Sequence, residues 1–503
     1  MSLISKAFSD IITFSRSSNA TRIGPDGKVQ YAPHNLLLRS QEFDNVEWAK
    51  NTGVTVTANS AAAPDGTVTA DKIVYDGSGS SGSYRLYNNT IPTSVNGVKY
   101  TSSIWLRSDT PITVRLNGNN VAGDTLCNVT STWQRFYSTG TGDGGNGLQL
   151  LIYSAPSDNT AFTIYAWGAQ LSAGSIAGDY TPTTSAAVYG PRFDYDPVTL
   201  AAKGLLIEEQ RTNLLTYSED FTNSVWDASS TATRTSNTAA APDGNTTADT
   251  ITNVSGTQLG VVYTGTAGVT YTFSIWVKRR TGSGTVQLLD VNGNTSDISV
   301  TSSWQRFTIT STASTTTVRA YLRVLTTNDA VDVWGAQLEA GAFATSYIPT
   351  VASTVTRSAD VASVNTLSPW FNATEGTLYS EYVTPSSLSY GSITTLSTDA
   401  SNEIRSIAGT SGGSFVVVNG GSVQVNMGSR VVGTKQAITY KLNDFTVSTN
   451  GGTPSADTSG TVPSISSLKI GAEGGGYYLN GWIKRIAYYP RKLTNAELQT
   501  LTA

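Results

Sequence analysis

Side chains able to do chemistry are few in this 503-residue chain, and their types exclude more than they offer. His34 is the only histidine and Cys127 the only cysteine, so no Cys/His set can hold zinc, haem or an iron–sulfur cluster, and no internal disulfide can close. A serine triad would have to recruit His34, which stands beside Pro33 without a nucleophile-elbow pattern and reads as an exposed turn residue. Cys127 reads as a small apolar side chain on a strand. Carboxylate pairs such as Asp194 with Asp196, or Glu208 with Glu209, would serve acid–base hydrolysis only by converging across a cleft. Asp196 before Pro197 is better explained as turn chemistry, and Glu208-Glu209 as solvated charge at a strand end. The GAEGGG stretch at Gly471 lacks the Lys-Ser/Thr and the following helix of a phosphate loop. No catalytic residue is assigned, and the chain is read as a non-enzyme.

Binding chemistry is better represented. A hard cation needs carboxylate and carbonyl oxygens, and Asp249 and Asp332 are the candidates for a structural calcium; no other cofactor is expected. A pyranose ring needs an exposed aromatic face flanked by amides, Arg or carboxylates. Tyr84 and Tyr87 in GSYRLYNN, with Arg85, Asn88 and Asn89, fit that need, as do Tyr477 and Tyr478 behind a glycine-rich turn. The competing reading for each is a strand tyrosine packed on its cross-strand neighbours.

The elements that must carry these residues follow from a long internal repeat. NLLLRSQEF at Asn35 matches NLLTYSEDF at Asn213, AAPDGTVTAD at Ala62 matches AAPDGNTTAD at Ala240, STWQRF at Ser131 matches SSWQRF at Ser302, and WGAQL recurs at Trp167 and Trp334. The offset shrinks along the chain, as expected if loops lost residues while strands kept register. A period of this length is a domain rather than a solenoid unit. Tryptophans 48, 105, 133 and 167 pair with 226, 276, 304 and 334, which marks them as core fillers. Alternating strand-like segments and turns at Asp65-Gly66, Asn96-Gly97, Asp243-Gly244 and Asn292-Gly293 indicate antiparallel sandwiches.

Before each repeat lies a segment that reads as a hairpin, with Arg22 and Asp26 placed much as Arg192 and Asp196 are. From Glu375 the text changes but still reads as strands, with turns at Asn419-Gly420, Asn450-Gly451 and Asn480-Gly481. A short helix closes the chain, capped by Thr494 with Glu497 returning the bond and Leu493 facing Leu498. The expected architecture is all-β: three antiparallel jelly-roll sandwiches in series joined by hairpin arms, with one short C-terminal helix. The divisions are 1–33 (arm), 34–188 (repeat 1), 189–210 (connector), 211–356 (repeat 2) and 357–503 (third sandwich).

A net charge of −4 with 14% charged residues is not that of a nucleic-acid binder. No apolar run reaches membrane-spanning length, so no membrane insertion is expected. The N-terminus lacks a signal-peptide pattern, so synthesis in a cytoplasm is expected.

GWIKRIAYYPRKLTNAELQTLTA resembles the ending of concanavalin A-like or laminin-G-like jelly rolls, in which a concave sheet or rim loop often binds glycan. The repeats, with NLLTYSEDFTNSVW, YTFSIWVKRRTGSGTVQL and VWGAQLEAGAFATSYIPT, resemble phage virion proteins of the tail-fibre or minor-tail type that carry carbohydrate-binding-module-like sandwiches. The resemblance is close over 192–357 and looser over 21–184; Tyr165 and Ser172 stand where repeat 2 has Asp332 and Glu339. It implies a virion component that attaches to other virion proteins through the N-terminal arm and presents sandwiches to host-surface glycan. It also implies a homo-oligomer, with phage fibres commonly trimeric. The alternatives are a head fibre, collar or capsid-decoration protein, and a tailspike-like glycan hydrolase.

Overall fold

The computed structural model describes residues 8–78, 86–88, 93–118, 125–145, 147–155, 160–228, 232–429, 434–473 and 476–503. It is all-β apart from a four-residue helical turn at Phe8–Ile11 and the helix Asn495–Thr502. The chain forms two compact units, one of residues 31–190 and one of residues 1–30 with 191–503. No helix among the described residues is long and apolar enough to cross a membrane.

Repeat 1 occupies the first unit as two five-stranded antiparallel sheets. One sheet runs Gln134–Thr141, Lys99–Arg107, Phe162–Ala173, Ala70–Tyr75, Val54–Ala61; the other runs Thr125–Val129, Ile112–Asn117, Leu151–Ser154, Leu86–Asn88, Trp48–Lys50. Strand alternation makes the core: in Lys99–Arg107, Tyr100, Ile104 and Leu106 point between the sheets while Trp105 points out. Repeat 2 has the same two sheets in the same order, built from Ala232–Ala239, Ala248–Asn253, Ala330–Ala340, Thr270–Thr281, Gln305–Thr312 and from Asp227–Ala228, Thr257–Thr264, Thr317–Val324, Val286–Leu289, Thr295–Ile298. The recurring motifs acquire reasons. In WGAQL, Gly168 and Gly335 adopt φ of +65° and +63°, and a Cβ on either would meet the neighbouring indole at 3.0 Å. In NLL, Asn35 and Asn213 each donate to two backbone carbonyls, Ala169 and Thr181 in one repeat, Ala336 and Ile348 in the other.

The third sandwich is not contiguous in sequence. Its seven-stranded sheets are completed at one edge by Thr13–Ser15, paired with Val361–Ser363, and in the other by Arg192–Tyr195 and Ala202–Ile207, with Leu205–Ile207 paired to Gly481–Ile483. Leu205 and Ile207 belong to its core. The segments expected as arm and connector therefore supply strands to the last domain. Their partners lie hundreds of residues away, where no local pattern could show the pairing.

These strands bring together a buried charge cluster. Arg16 pairs with Asp360 at 2.9 Å, Arg192 with Glu208 at 2.6 Å and with Asp360, and Arg357 with Glu208 at 3.2 Å. All five are buried. Burial pushes the Glu208 carboxyl upward, but Arg357 and Arg192 outweigh it and hold it at about 2. Glu208 is thus a buried ion-pair partner rather than solvated strand-end charge.

Two further expectations are corrected. His34 is buried, not an exposed turn residue; Nε2 accepts from the Ala173 amide at 2.7 Å and Nδ1 faces the Ala32 carbonyl at 2.8 Å, which fixes a neutral tautomer. Asn480-Gly481 is no hairpin turn, since Gly481 opens the last strand and Asn480 Oδ1 accepts from the Glu209 amide. The C-terminal helix has its capping box at Thr494 and Glu497, with Leu493 and Leu498 buried against Tyr379 and Ala437.

Candidate functional site

The residues that best fit ligand binding converge on the outer face of one sheet of the third sandwich. In the strand Asn402–Ala408, Ile404 enters the core, so Glu403 and Arg405 face outward. Arg405 lies between two carboxylates, 3.4 Å from Glu403 and 3.1 Å from Glu473. Tyr390, just before the strand Gly391–Asp399, donates to Glu473 at 2.8 Å, and Arg405 donates to the Tyr390 hydroxyl at 3.1 Å. Beside it stands Tyr477, 53% exposed, with ring centroids 4.6 Å apart and planes at 57°. The Tyr477 carbonyl is fixed by the Ser392 amide at 3.0 Å. Ile407, Val416 and Val418 pack against Tyr390 as an apolar floor. Burial raises the Glu403 carboxyl, with Arg405 opposing. The arrangement offers one exposed aromatic face beside a guanidinium and carboxylates already held in place by one another, which suits stacking and hydroxyl hydrogen bonding.

Sequence reasoning reached Tyr477 but missed Tyr390, Glu403, Arg405 and Glu473, which come together only through the sheet. The alternation of Glu403, Ile404 and Arg405 was the one available signal. Tyr478 is separated from Tyr477 by its role: it packs against the domain core, and burial raises its phenol. In repeat 1, Tyr84, Arg85 and Asn89 lie outside the described residues. Tyr87 is half-buried between Leu151 and Ala49, and Asn88 is buried opposite Trp48. Both sit as strand residues with cross-strand neighbours.

The calcium candidates do not converge. Asp249 accepts from the Phe221 amide at 2.8 Å and the Asn237 amide at 2.9 Å, and Asp71 accepts from Phe43 and Asn59 in the same way in repeat 1. Asp332 is taken by Arg280 at 2.6 Å, Lys278 at 3.5 Å and Thr250 at 2.7 Å. Among the described residues no group of three His, Cys, Asp or Glu side chains is placed to hold a metal. Cys127 is buried in the repeat 1 core, where burial pushes its thiol up to about 12.

The paired tryptophans divide. Trp48 and Trp226 fill the inter-sheet cores, each donating Nε1 at 2.9 Å to a carbonyl, Arg39 and Tyr217. The other six lie on the outer faces. Trp105, Trp167 and Tyr180 in repeat 1, and Trp276, Trp334 and Tyr347 in repeat 2, form matching triads with centroid separations of 5.4, 5.5 and 4.7 Å in both. Trp133 and Trp304 flank them, and Arg135 and Arg306 lie over Trp105 and Trp276. The core-filler expectation holds for five of the eight, Trp48 and Trp226 between the sheets and Trp167, Trp276 and Trp334 buried in the smaller outer clusters, whereas Trp105, Trp133 and Trp304 are partly exposed.

The sequence matches no protein-family model and no curated protein. Among solved structures it is similar to the N-terminal CBM22-1-CBM22-2 tandem domain of Paenibacillus barcinonensis Xyn10C, at 13% identity over 65% of this chain and 100% of that one, with a TM-score of 0.22. It is similar to a CBM4 structure at 20% identity over 27% of this chain and 99% of that one, TM-score 0.19. A further likeness, at 14% identity and TM-score 0.20, is to the enzymatically active domain of bacteriophage CBA120 tailspike protein 4, covering 25% of this chain and 21% of that one. At such TM-scores the likenesses carry no functional weight, and the sandwich assignment rests on the strand order of the chain itself.

Proposed function

We propose that the chain is a non-enzymatic glycan-binding protein of a phage particle, a tail fibre or tail-associated adhesin whose sandwiches face the host surface. The observation that carries the glycan reading is the exposed Tyr477 ring beside Tyr390, backed by Arg405 and Glu473. With Glu403 and Lys469 on the same sheet face, the four charges cancel, which favours a neutral hexopyranose over an acidic sugar. The virion assignment is supported by the sequence resemblance of the repeats. Titration of the full chain with neutral oligosaccharides, followed by calorimetry, tests the site: Tyr477→Ala is expected to weaken binding at least tenfold, and an unchanged affinity overturns it. Incubation with host-surface polysaccharide is expected to release no oligosaccharide; release would favour the hydrolase reading. Imaging particles labelled at the C-terminus separates a tail position from a head or collar one.

A further inference from the structure

The two outer aromatic faces have the same ring geometry but different cover. In repeat 2 the face is overlaid by the hairpin of strands Thr21–Ile23 and Val29–Tyr31. Val29 joins the aromatic cluster, with Ile23 packed against it. The Val29 amide donates to the Pro242 carbonyl at 3.0 Å, Thr21 Oγ1 donates to the Tyr347 carbonyl at 2.5 Å, and Lys28 crosses the Asp243-Gly244 turn, where a Cβ on Gly244 would meet its stem at 3.0 Å. Trp276 is 9% and Tyr347 2% exposed beneath it.

In repeat 1 the corresponding cluster, Ala63, Ala70 and Trp167 with Ala61, Trp105, Trp133 and Tyr180, draws only on the repeat's own residues. Trp105 and Tyr180 are partly exposed, and Pro64, Asp65 and Thr67 are exposed where Pro242, Asp243 and Asn245 are partly covered. Gly66, the counterpart of Gly244, has nothing within 4 Å of an added Cβ. The acceptor carbonyls of Pro64 and Tyr180 occupy the positions at which repeat 2 takes its hairpin.

We propose that the outer face of repeat 1 is a docking seat for a β-hairpin of another protein, one presenting two aliphatic side chains to the indoles and a basic residue at its turn toward Asp65. The occupant is inferred from repeat 2, where the same rings and the same turn already hold such a hairpin. A second copy of this chain is not the source, because its own hairpin is seated on its own repeat 2 and its 192–207 hairpin is built into a sheet. The seat is independent of the glycan reading, which concerns the third sandwich.

The test uses the full chain and a cyclised peptide of residues 21–30 as probe, with binding followed by tryptophan fluorescence and calorimetry. Saturable one-to-one binding is expected, lost at least tenfold when the peptide carries Ile23→Asp and Val29→Asp. Trp105→Ala in the protein should weaken binding by a similar factor. Asp65→Lys, at an exposed position, serves as the second variant should Trp105→Ala fold poorly, and should weaken binding severalfold by setting a like charge against Lys28. Absence of saturable binding, binding indifferent to both protein variants, or protection of the repeat 1 indoles by oligosaccharide in place of peptide would each overturn the proposal.

Discussion

Repeat 1 and repeat 2 share their strand order, buried asparagines, carboxylate-capped loops and aromatic triads, yet their outer aromatic faces differ in what covers them. In repeat 2 the flanking residue Arg357 enters the charge cluster with Arg16, Arg192, Glu208 and Asp360, and the outer indoles lie under a hairpin. Repeat 1 forms a unit by itself. One sandwich sequence, used twice, thus yields one copy that organises neighbouring segments and one whose aromatic face is left open. The copies also differ in paired compensations. Where repeat 2 sets Asp332 against Arg280, repeat 1 sets Tyr165 against Asp109, with Arg107 over the tyrosine ring.

The sharpest way to break this contrast is to remove a carboxylate from the buried cluster. Glu208→Gln removes one of the two carboxylates, Glu208 and Asp360, that Arg192 and Arg357 share, and is expected to cost about 3 to 5 kcal/mol. Calorimetry should show a lowered transition for the unit holding repeat 2 and an unmoved one for repeat 1; equal shifts would mean that the units do not unfold separately. Next comes the pair Trp276→Ala and Trp105→Ala. Because the first indole is covered and the second partly exposed, the losses should be about 3 and about 1 kcal/mol. Equal losses in chemical denaturation would remove the distinction between covered and open faces.

A pH series sharpens the contrast without mutation. Glu208 sits at about 2 when folded against an ordinary 4.5, so its stabilisation of the repeat 2 unit is present above 4.5 and drains away as pH falls toward 2. Glu219, half-buried and bonded by the Tyr347 hydroxyl at 2.9 Å, behaves oppositely: burial and then Asp243 raise it to about 7, with Tyr347 opposing. The folded state binds that proton first, so the unit gains stability as pH falls from about 7 to about 4.5. Repeat 1 has Gln41 at this position, and Glu219→Gln should flatten the neutral limb of a melting-temperature profile. An unaltered limb would assign the proton elsewhere. The smallest effect is expected from transplanting the repeat 1 pairing, Asp332→Tyr with Arg280→Asp, which should change stability by no more than about 1 kcal/mol in urea denaturation. A larger loss would show that the compensations are not interchangeable.

Much of this was legible beforehand, and the residues say why. The duplication, the strand alternation around Trp105 and Trp276, the glycine turns and the Thr494 capping box are written within windows of a few residues, where periodicity and local hydrogen bonding act. Tyr477 was reachable as an aromatic behind a glycine-rich turn, whereas Tyr390, Arg405 and Glu473 were not, because adjacent strands and a returning loop place them together. Burial of His34 and Glu208 escaped for the same reason: both look like turn or strand-end residues until a distant segment covers them.

The amino-acid order by itself determined an all-β chain with two copies of one sandwich, a distinct third and a capped terminal helix, since side-chain alternation and turn stereochemistry are local. Only the tertiary structure decided that residues 13–15 and 192–207 complete the last sandwich, that five charges meet in its buried junction, and that one aromatic face is covered while its twin is open. Those outcomes depend on complementary surfaces brought together across hundreds of residues, where the gain from burying strand edges and indoles outweighs the slowly growing entropy of closing so long a loop.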